Sequence, residues 1–273
     1  MNKRVTGPFA VLMTPFCGER VDEAAFTAQL ERLNGTALSG YVTNGSTGEF
    51  IRLSLEEQMA LTALVAKKKA KDKKLIVSAC TGALADTVRL CRHAGEVGAD
   101  AVLVCPPYYL KYTPAEREAY FKAVADHSPV PVVLYNIPFF TQELELDVIY
   151  RLFEHENIVG IKDSSANMKR LAHMADVVKD SDVSVMTGTD DILTSALAGG
   201  CVGSMTAFAT IFPHEICGIY AAMAKGDLAT AGSIQSQLMP KLREADSLTF
   251  PRGYKLLLEK VSGIPFGDKE VSV

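Results

Sequence analysis

A lysine at the end of a short apolar run is the residue of this sequence best suited to covalent chemistry. The apolar run 158–161 is followed directly by Lys162 and then by Asp163. A short run of this kind predicts a strand that is buried on both faces, as in a parallel sheet. Burial disfavours the charged form of an amine, and the neutral amine is a nucleophile for a carbonyl carbon. Lys162 is therefore a candidate for imine formation, and the alternative interpretation is an ordinary solvated lysine.

Hydroxyl, phenol and carboxylate groups follow several other apolar runs. Tyr135 ends one run, Tyr108 and Tyr109 follow a second, and Ser204 ends a third. Two polar loops add further groups, which are Gly45, Ser46 and Thr47 in the first loop and Gly188, Thr189, Asp190 and Asp191 in the second. Phenols and hydroxyls can move protons in carbonyl chemistry. A fold that brought these groups to one face would suit imine chemistry on a carbonyl substrate.

The order of the predicted elements indicates how these groups come together. Eight apolar runs predict strands at 9–13, 40–43, 75–79, 101–105, 132–135, 158–162, 184–187 and 201–204. Amphipathic patterns between the strands predict helices at 23–33, 55–67, 86–97, 115–126, 147–153, 168–178 and 191–198. Strands and helices that alternate in this way predict an α/β fold, the (β/α)8 TIM barrel. Catalytic groups of such barrels lie at the carboxyl ends of the strands, where the groups above are found.

The main alternative fold, a doubly wound sheet, usually has a glycine-rich phosphate turn that this sequence lacks. The first predicted strand runs into Thr-Pro-Phe-Cys-Gly (14–18), and neither a G-x-G-x-x-G nor a Walker sequence follows any strand. Three more helix patterns follow the eighth strand, at 213–225, 227–242 and 249–261. We therefore predict one domain. Residues 1–212 supply the barrel strands with most helices, and residues 213–273 supply the eighth helix and a small C-terminal helical extension.

Composition and charge exclude several other classes of protein. Hydrophobic residues make up 48% and charged residues 22%, which is enough for a large core and gives no sign of disorder. The formal net charge of −4 argues against a nucleic-acid or membrane-surface partner. No apolar segment has the length of a signal peptide or a membrane span, and the cysteines show no metal-ligand spacing. These features predict a cytoplasmic protein with a small-molecule substrate, no nucleic-acid partner, no membrane association and no bound metal.

Three motifs make the chain resemble the pyruvate-dependent class I aldolase family, which includes dihydrodipicolinate synthase and N-acetylneuraminate lyase. Gly-Ser-Thr-Gly-Glu (45–49) matches the family's G-[ST]-T-G-E loop, Tyr-Asn-Ile-Pro (135–138) its Y-N-x-P strand end, and Gly-Ile-Lys-Asp (160–163) its lysine strand. The resemblance covers nearly the entire sequence. It implies a TIM barrel and a Schiff-base lyase that needs no cofactor, because the protonated imine withdraws electrons. It also implies a homo-oligomer, typically a homotetramer built as a dimer of dimers.

The resemblance implies roles for individual residues. Lys162 resembles the Schiff-base lysine, and Tyr135 resembles the proton shuttle. Thr47 would link Tyr135 to Tyr109, the tyrosine that reaches across a dimer interface in relatives. The carboxylate of pyruvate would be bound by the loop residues Gly45, Ser46 and Thr47. A plain turn is the alternative interpretation of this loop, since glycine and serine are common in turns.

On the substrate side, the sequence departs from one branch of the family. Dihydrodipicolinate synthases carry an arginine two positions after the Y-N-x-P motif, where it binds the carboxylate of the second substrate, and this chain has Phe140 there. A phenylalanine cannot form a bidentate contact to a carboxylate. The positions at which sialic-acid lyases bind sugar hydroxyls are occupied here by Gly188, Thr189, Asp190, Asp191 and Ser204. Helix capping is the alternative role of Asp190.

The sequence thus predicts a class I aldolase that reversibly cleaves a 2-keto-3-deoxy or related 2-oxo sugar acid to pyruvate and an aldehyde. Asp163 and Ser164, which follow the lysine, resemble the 2-keto-3-deoxy sugar acid aldolases more than the sialic-acid lyases. The alternatives are 4-hydroxy-tetrahydrodipicolinate synthase, which joins pyruvate to aspartate semialdehyde, N-acetylneuraminate lyase, and a lysine-dependent keto-acid dehydratase. A catalytically silent binding protein is the alternative from another class. The joint presence of Lys162, Tyr135 and Thr47 argues against it.

Overall fold

The protein folds into a closed barrel of parallel strands. The structure, a computed structural model, describes residues 4–268. The strands are β1 (Gly7–Val11), β2 (Gly40–Thr43), β3 (Lys74–Ser78), β4 (Ala101–Val104), β5 (Val132–Asn136), β6 (Ile158–Asp163), β7 (Ser184–Thr187) and β8 (Gly203–Thr206). Each strand pairs with the next one along the chain, and β8 pairs with β1, so the sheet has no free edge. The predicted (β/α)8 barrel is confirmed.

Helices connect the strands and extend beyond the last of them. Between the strands lie α1 (Glu23–Asn34), α2 (Leu55–Lys68), α3 (Leu84–Glu96), α4 (Pro114–His127), α5 (Leu146–Phe153), α6 (Met168–Val178) and α7 (Leu193–Ala198). After β8 come α8 (Phe208–Ile211), α9 (Pro213–Ala224), α10 (Leu228–Asp246) and α11 (Arg252–Ser262). A hairpin (Phe16–Cys17 with Arg20–Val21) follows β1, and a 3-10 helix (Phe50–Arg52) follows β2. Within residues 4–268, no helix is both long and apolar enough to cross a membrane.

Side-chain caps start several helices where the sequence predicts them. The Asp22 carboxylate accepts a hydrogen bond of 2.9 Å from a backbone N–H in the first turn of α1. Ser54 and Glu57 form a reciprocal capping box at α2, and Thr113 and Glu116 form another at α4. Such caps give partners to the N–H groups that the first turn leaves unpaired. Each cap closes a loop at the carboxyl end of the barrel, on the side of the predicted site residues.

Apolar side chains fill both the inside of the barrel and the layer between barrel and helices. Successive side chains of a strand point to opposite faces. In β1, Phe9 and Val11 belong to the inner cluster, and Ala10 belongs to the outer one. Strands buried on both faces have nearly continuous apolar sequences, which explains the runs seen in this chain. The same alternation decides which residues of each strand face the interior.

The eighth strand begins two residues later than the sequence predicts. The apolar pattern predicts 201–204, whereas β8 runs from Gly203 to Thr206. Met205 belongs to the inner cluster, so its neighbours Ser204 and Thr206 face the helices. A strand with serine and threonine on its outer face gives a weak apolar signal. The predicted division between 212 and 213 falls between α8 and α9 and stays a prediction.

Candidate active site

Lys162 and Tyr135 face each other at the carboxyl end of the barrel. They are register partners on the neighbouring strands β6 and β5, and they are 4% and 3% exposed. The amine Nζ donates a hydrogen bond of 3.3 Å to the phenol oxygen and lies 4.3 Å from the centre of the ring. A buried amine beside a phenol can attack a carbonyl and exchange protons with the phenol. The structure therefore brings together the two residues predicted to carry the chemistry.

Gly188, which follows β7 directly, leaves space for the lysine side chain. A Cβ atom at this position would lie 2.6 Å from Cε of Lys162 and 2.0 Å from Oγ of Ser164. Carbon atoms in contact are about 3.5–4.0 Å apart, so any larger residue would displace the lysine or the serine. The sequence predicts a substrate contact for Gly188. The structure gives it a second reason to be glycine, because its backbone packs against the lysine.

The glycine-rich loop after β2 lies next to Tyr135. The hydroxyl oxygens of Ser46 and Tyr135 are 3.5 Å apart, and Thr47 is buried. Cβ atoms at Gly45 and Gly48 would lie 2.7 Å and 2.8 Å from atoms at the end of β1. Both glycines are thus required by close packing. This packing holds the loop where the Ser46 hydroxyl reaches the tyrosine.

Glu49, the last residue of the same motif, ties this loop to helix α11. Its carboxylate accepts a hydrogen bond of 2.8 Å from Lys255 and pairs with Arg52 at 3.2 Å. Lys255 is 1% exposed and also donates to the backbone oxygen of Gly267 at 2.8 Å. Removing one partner of a buried ion pair is costly, because the other charge is left without compensation. Sequence reasoning missed this pair, since its members are 206 positions apart.

A second ion pair lies behind the lysine, on the outer face of the same strands. Asp163 is fully buried and accepts hydrogen bonds of 2.8 Å from Arg170 Nε and from Asn136 Nδ2. Arg170 lies in the first turn of α6 and also donates to a backbone oxygen in the loop before α5. Asn136 and Asp163 directly follow Tyr135 and Lys162, so this network anchors the strand ends that carry the reactive pair. Both residues lie in the sequence motifs 135–138 and 160–163, but the motifs do not indicate this structural role.

Tyr109 stands apart from the site in the single chain. Its side chain is 99% exposed, and its backbone is left-handed with a φ of 74°. Such a conformation is uncommon for a residue other than glycine and is strained. The neighbouring Tyr108 lines the cavity described below and packs edge-on against Phe50, with ring centres 6.2 Å apart. Burial raises the pKa of the Tyr108 phenol to about 12. The predicted link from Thr47 to Tyr109 is not made within one chain.

Asp190 lies in the loop after β7 and caps α8. Its carboxylate accepts a hydrogen bond of 3.2 Å from the backbone N–H of Phe208, and its backbone oxygen accepts one of 2.9 Å from Gln235. Burial raises the pKa of the Asp190 carboxyl to about 7, although the Thr206 hydroxyl and the Phe208 N–H oppose the rise. This carboxyl therefore changes its charge near neutral pH. The next predicted residue, Asp191, is exposed.

Ser204 and Thr189 are hydrogen-bonded to other side chains of the protein. Ser204 is fully buried, and its hydroxyl accepts a hydrogen bond of 2.9 Å from Tyr220 of α9. The hydroxyls of Thr189 and Thr187 are 3.1 Å apart and share a hydrogen bond. Because Ser204 is on the outer face of β8, its side chain points towards the helices. The structure does not bring it to the lysine.

A cavity of about 600 Å³ leads from Tyr135 and Ser46 towards the surface. This volume is typical of a small-molecule site. Its wall is built from the loops after β2, β4 and β5 and from the segment at the start of α11. Residues from these parts include Phe50, Arg52, Tyr108, Phe140, Phe250 and Arg252. The lining includes Tyr135 but neither Lys162 nor the residues predicted to bind sugar hydroxyls, which are Gly188, Thr189, Asp190, Asp191 and Ser204.

Comparison with known proteins assigns the chain to a family. The model of the Dihydrodipicolinate synthetase family matches residues 4–268, nearly the whole chain. The chain belongs to this family. Its members are pyruvate-dependent lyases, so the protein is an enzyme of the class I aldolase type. The resemblance predicted from the three motifs is confirmed.

Individual relatives of this dihydrodipicolinate synthetase family member agree with the assignment. A 4-hydroxy-tetrahydrodipicolinate synthase of Acidiphilium cryptum is 36% identical over 236 residues, which cover 86% of this chain and 80% of the relative. The structure of a 4-hydroxy-tetrahydrodipicolinate synthase from Methylacidiphilum fumariolicum SolV has a TM-score of 0.92 at 26% identity, and the match covers 99% of this chain and 89% of that one. YagE, a prophage protein from E. coli K12 solved in complex with pyruvate, has a TM-score of 0.89 at 28% identity, covering 95% and 89%.

Proposed function

We propose that the protein reversibly cleaves a 4-hydroxy-2-oxo acid to pyruvate and an aldehyde through an imine on Lys162. The proposal is carried by the buried pair in which Lys162 Nζ lies 3.3 Å from the Tyr135 hydroxyl. An amine serves as the nucleophile for the carbonyl, and a phenol within hydrogen-bond reach serves as acid and base. The position of the pair at the carboxyl end of the barrel is where enzymes of this fold carry their sites.

The steps follow from these two groups. The neutral amine of Lys162 attacks C2 of the substrate, and the hydroxyl formed at C2 leaves as water with a proton from the Tyr135 phenol, so that a protonated imine and a phenolate remain. Tyr135 takes the proton of the C4 hydroxyl, the C3–C4 bond breaks, and its electron pair moves into the imine to form an enamine as the aldehyde leaves. The enamine gains a proton at C3, and water then attacks C2 to release pyruvate and the free amine. The imine itself withdraws the electrons, so the proposed steps need no metal or organic cofactor.

The loop after β2 is the proposed binding site for the substrate's carboxylate. The Ser46 hydroxyl is 3.5 Å from the Tyr135 hydroxyl, so a 2-oxo acid joined to Lys162 would have its C1 carboxylate close to this loop. The hydroxyls and the backbone N–H groups of Ser46 and Thr47 are the proposed donors. Hydrogen bonds to a carboxylate are about twice as strong as those between neutral groups.

A sugar acid, the substrate predicted from the sequence, has less support than the chemistry. The prediction depends mainly on Thr189, Asp190, Asp191 and Ser204. The Ser204 hydroxyl is hydrogen-bonded to Tyr220 of helix α9, and the Asp190 carboxylate caps α8. We therefore propose the wider class of 4-hydroxy-2-oxo acids, of which 2-keto-3-deoxy sugar acids are one group.

Condensation of pyruvate with aspartate semialdehyde is the second candidate. It is favoured by relatives that are named 4-hydroxy-tetrahydrodipicolinate synthases, one of which is 36% identical. Phe140 argues against it, because it occupies the position of the arginine expected in those enzymes and packs against Phe250, with ring centres 5.7 Å apart. A carboxylate that is removed from water without a cationic partner is strongly disfavoured. Both candidates, and a dehydratase on the same scaffold, would share the imine on Lys162.

We also propose that the active enzyme is an oligomer, as the family resemblance implies. The exposed side chain and strained backbone of Tyr109 support an inter-subunit role for this residue. Sedimentation velocity at the concentration used for assays tests the proposal. A fully active monomer would contradict it.

Trapping the imine tests the proposed function. Sodium borohydride added with pyruvate reduces an imine to a stable amine, so mass spectrometry should find one reduced pyruvyl group on Lys162. Lys162→Ala should abolish both the adduct and turnover. Lys260→Ala is the matched control, because Lys260 is 69% exposed and pairs with a surface glutamate. An adduct on any other lysine, or none, defeats the proposal.

A further inference from the structure

The part of the cavity beyond Tyr135 has aromatic walls. Phe50 and Tyr108 form one edge-on pair, with ring centres 6.2 Å apart. Phe140 and Phe250 form a second pair at 5.7 Å. The cavity volume of about 600 Å³ far exceeds what pyruvate occupies. The remaining space is available for the aldehyde half of the substrate.

Two of these rings are exposed at the mouth of the cavity. Phe140 is 58% exposed and Phe250 is 40% exposed. Grouped apolar side chains that are exposed beside a site are typical of ligand-binding grooves and of protein contacts, where another group covers them. An apolar group of the substrate would do so, and its burial would contribute about 25 cal/mol for each Å² removed from water.

The charged side chains of the cavity lining are already paired with each other. Arg52 pairs with Glu49 at 3.2 Å, and Arg252 pairs with Asp268 at 3.6 Å. Glu49 is also held by the buried Lys255 at 2.8 Å. A negatively charged aldehyde would have to share an arginine with Glu49 or Asp268, which already pair with these side chains. A neutral aldehyde would leave these pairs intact.

The lining also offers few uncharged polar groups for a chain of hydroxyls. Besides its phenols, its uncharged polar residues are Ser46, Thr141 and Thr249. Ser46 lies beside Tyr135 in the loop proposed for the carboxylate, and the Thr141 hydroxyl donates to a backbone oxygen at 3.2 Å. A hydroxyl that leaves water without gaining a partner loses free energy. A polyhydroxylated aldehyde would therefore depend on the charged groups of the lining for its hydrogen bonds, and these groups already pair with each other.

We infer that the aldehyde partner of this enzyme carries a neutral apolar group, aryl or alkyl, which binds between Phe140, Phe250 and Phe50. The inference rests on the proposed function and names the substrate class of the same site. The chemistry is unchanged: the C3–C4 bond breaks, its electrons enter the imine on Lys162, and the C4 hydroxyl becomes the aldehyde carbonyl after loss of its proton to Tyr135. Only the group attached to C4 is new.

Cleavage of four synthetic aldol adducts tests the inference. These are the adducts of pyruvate with benzaldehyde, butanal, glyceraldehyde and succinic semialdehyde, and pyruvate release is measured for each. A hydrophobic pocket discriminates by about 10–200-fold for one methylene group. We expect kcat/KM for the benzaldehyde and butanal adducts to exceed that for the glyceraldehyde and succinic semialdehyde adducts at least about tenfold. Preference for either polar adduct overturns the inference, and so does cleavage of none of them.

Substitutions at two neighbouring phenylalanines locate the subsite. Phe140→Ser should lower kcat/KM for the benzaldehyde adduct about tenfold more than kcat/KM for the glyceraldehyde adduct. Phe139→Ser is the matched control, because Phe139 is 69% exposed but does not line the cavity. Equal effects of the two substitutions would overturn the assignment of the wall.

Two further measurements separate the remaining outcomes. Sedimentation velocity of Phe140→Ser reports whether the ring belongs to a contact between subunits, and a changed oligomeric state with unchanged aldehyde preference would overturn the inference. Borohydride trapping of pyruvate is independent of the aldehyde. An intact imine on Lys162 with the wrong aldehyde preference defeats only this inference, whereas loss of the imine defeats the proposed function.

Discussion

Replacing Gly188 by alanine is the most direct test of the site geometry, because it adds one methyl group beside the reactive lysine. The new Cβ would lie 2.6 Å from Cε of Lys162 and 2.0 Å from Oγ of Ser164. The serine hydroxyl can turn away by rotation about its own bond. The lysine side chain has less conformational freedom, because its Nζ is hydrogen-bonded to Tyr135 and the residue is 4% exposed.

The size of the effect follows from the distances. A carbon–carbon contact needs about 3.5–4.0 Å, so the lysine chain must move by about 1 Å. A misplacement of about 1 Å in a reacting group lowers the rate roughly 10²-fold, or about 2.7 kcal/mol in the activation free energy. Overpacking of this kind costs about 1–3 kcal/mol of stability, which the fold can tolerate. We therefore expect a folded protein with roughly 10²-fold slower imine formation.

The assay is the rate of borohydride-trapped pyruvate adduct, followed by mass spectrometry, with circular dichroism to confirm the fold. Gly232→Ala is the matched control, because a Cβ at Gly232 in α10 meets no atom within 4 Å. The double variant Gly188→Ala with Ser164→Ala removes the serine hydroxyl. If it restores the rate, the clash lies with the serine and not with the lysine. Imine formation at the wild-type rate in folded Gly188→Ala would refute the packing argument.

The other predictions concern proton transfer, stability and pH. Tyr135→Phe should still trap pyruvate but lose about 10²–10⁴-fold in turnover, since that is the usual contribution of an acid–base group. Wild-type kcat would rule out the shuttle. Asp163→Asn should lower the free energy of unfolding in urea by about 3–5 kcal/mol, because Arg170 loses its buried anionic partner and keeps only the half-exposed Glu143 at 3.7 Å. Asp176→Asn, in an exposed pair, should cost about 1 kcal/mol or less. The folded state raises the pKa of Asp190 from 3.8 to about 7. It therefore binds more protons than the unfolded state between these values, and the stability contributed by this group falls as pH rises from about 4 to about 7. Asp190→Asn should raise the free energy of unfolding more at pH 8 than at pH 5, and the difference should be on the order of 3 kcal/mol. Thermal unfolding at the two pH values measures it, and an equal change in Tm at both would contradict the raised pKa.

The fold was largely predictable because the barrel strands are buried on both faces. Each apolar run of this sequence corresponds to a strand in the structure, with ends that differ by at most two residues. The largest shifts, of two residues, are in β1 and in β8, and the outer residues of β8, Ser204 and Thr206, are polar. The short helix α8 and the hairpin after β1 were not predicted, because four-residue and two-residue elements carry no periodic signal.

The candidate site was predictable only where its signal is local. Lys162 and Tyr135 lie at the ends of apolar runs within recognisable motifs, and the structure pairs them. The Glu49–Lys255 ion pair joins residues 206 positions apart, so no pattern in the sequence predicts it. Ser204 shows how the face on which a side chain lies depends on its position along the strand. A one-residue difference in register moves a side chain from the interior to the outer face, and the structure directs the serine to Tyr220 on α9.

Successive side chains of a strand point to opposite faces, and this alternation explains why each reactive residue is followed by a residue of the buried network around Asp163. Tyr135 pairs with Lys162 and, one step on, Asn136 pairs with Asp163. The outer pair is joined by a hydrogen bond of 2.8 Å from Asn136 Nδ2 to Asp163, and the inner pair by one of 3.3 Å from Lys162 to Tyr135. Buried ion pairs add little net stability, because desolvation offsets their attraction, so stability alone gives no reason to build one here. The hydrogen bond between Asn136 and Asp163 on the outer face instead fixes the position of the two strand ends along the strand direction. The amine of Lys162 therefore meets the phenol of Tyr135 on the inner face.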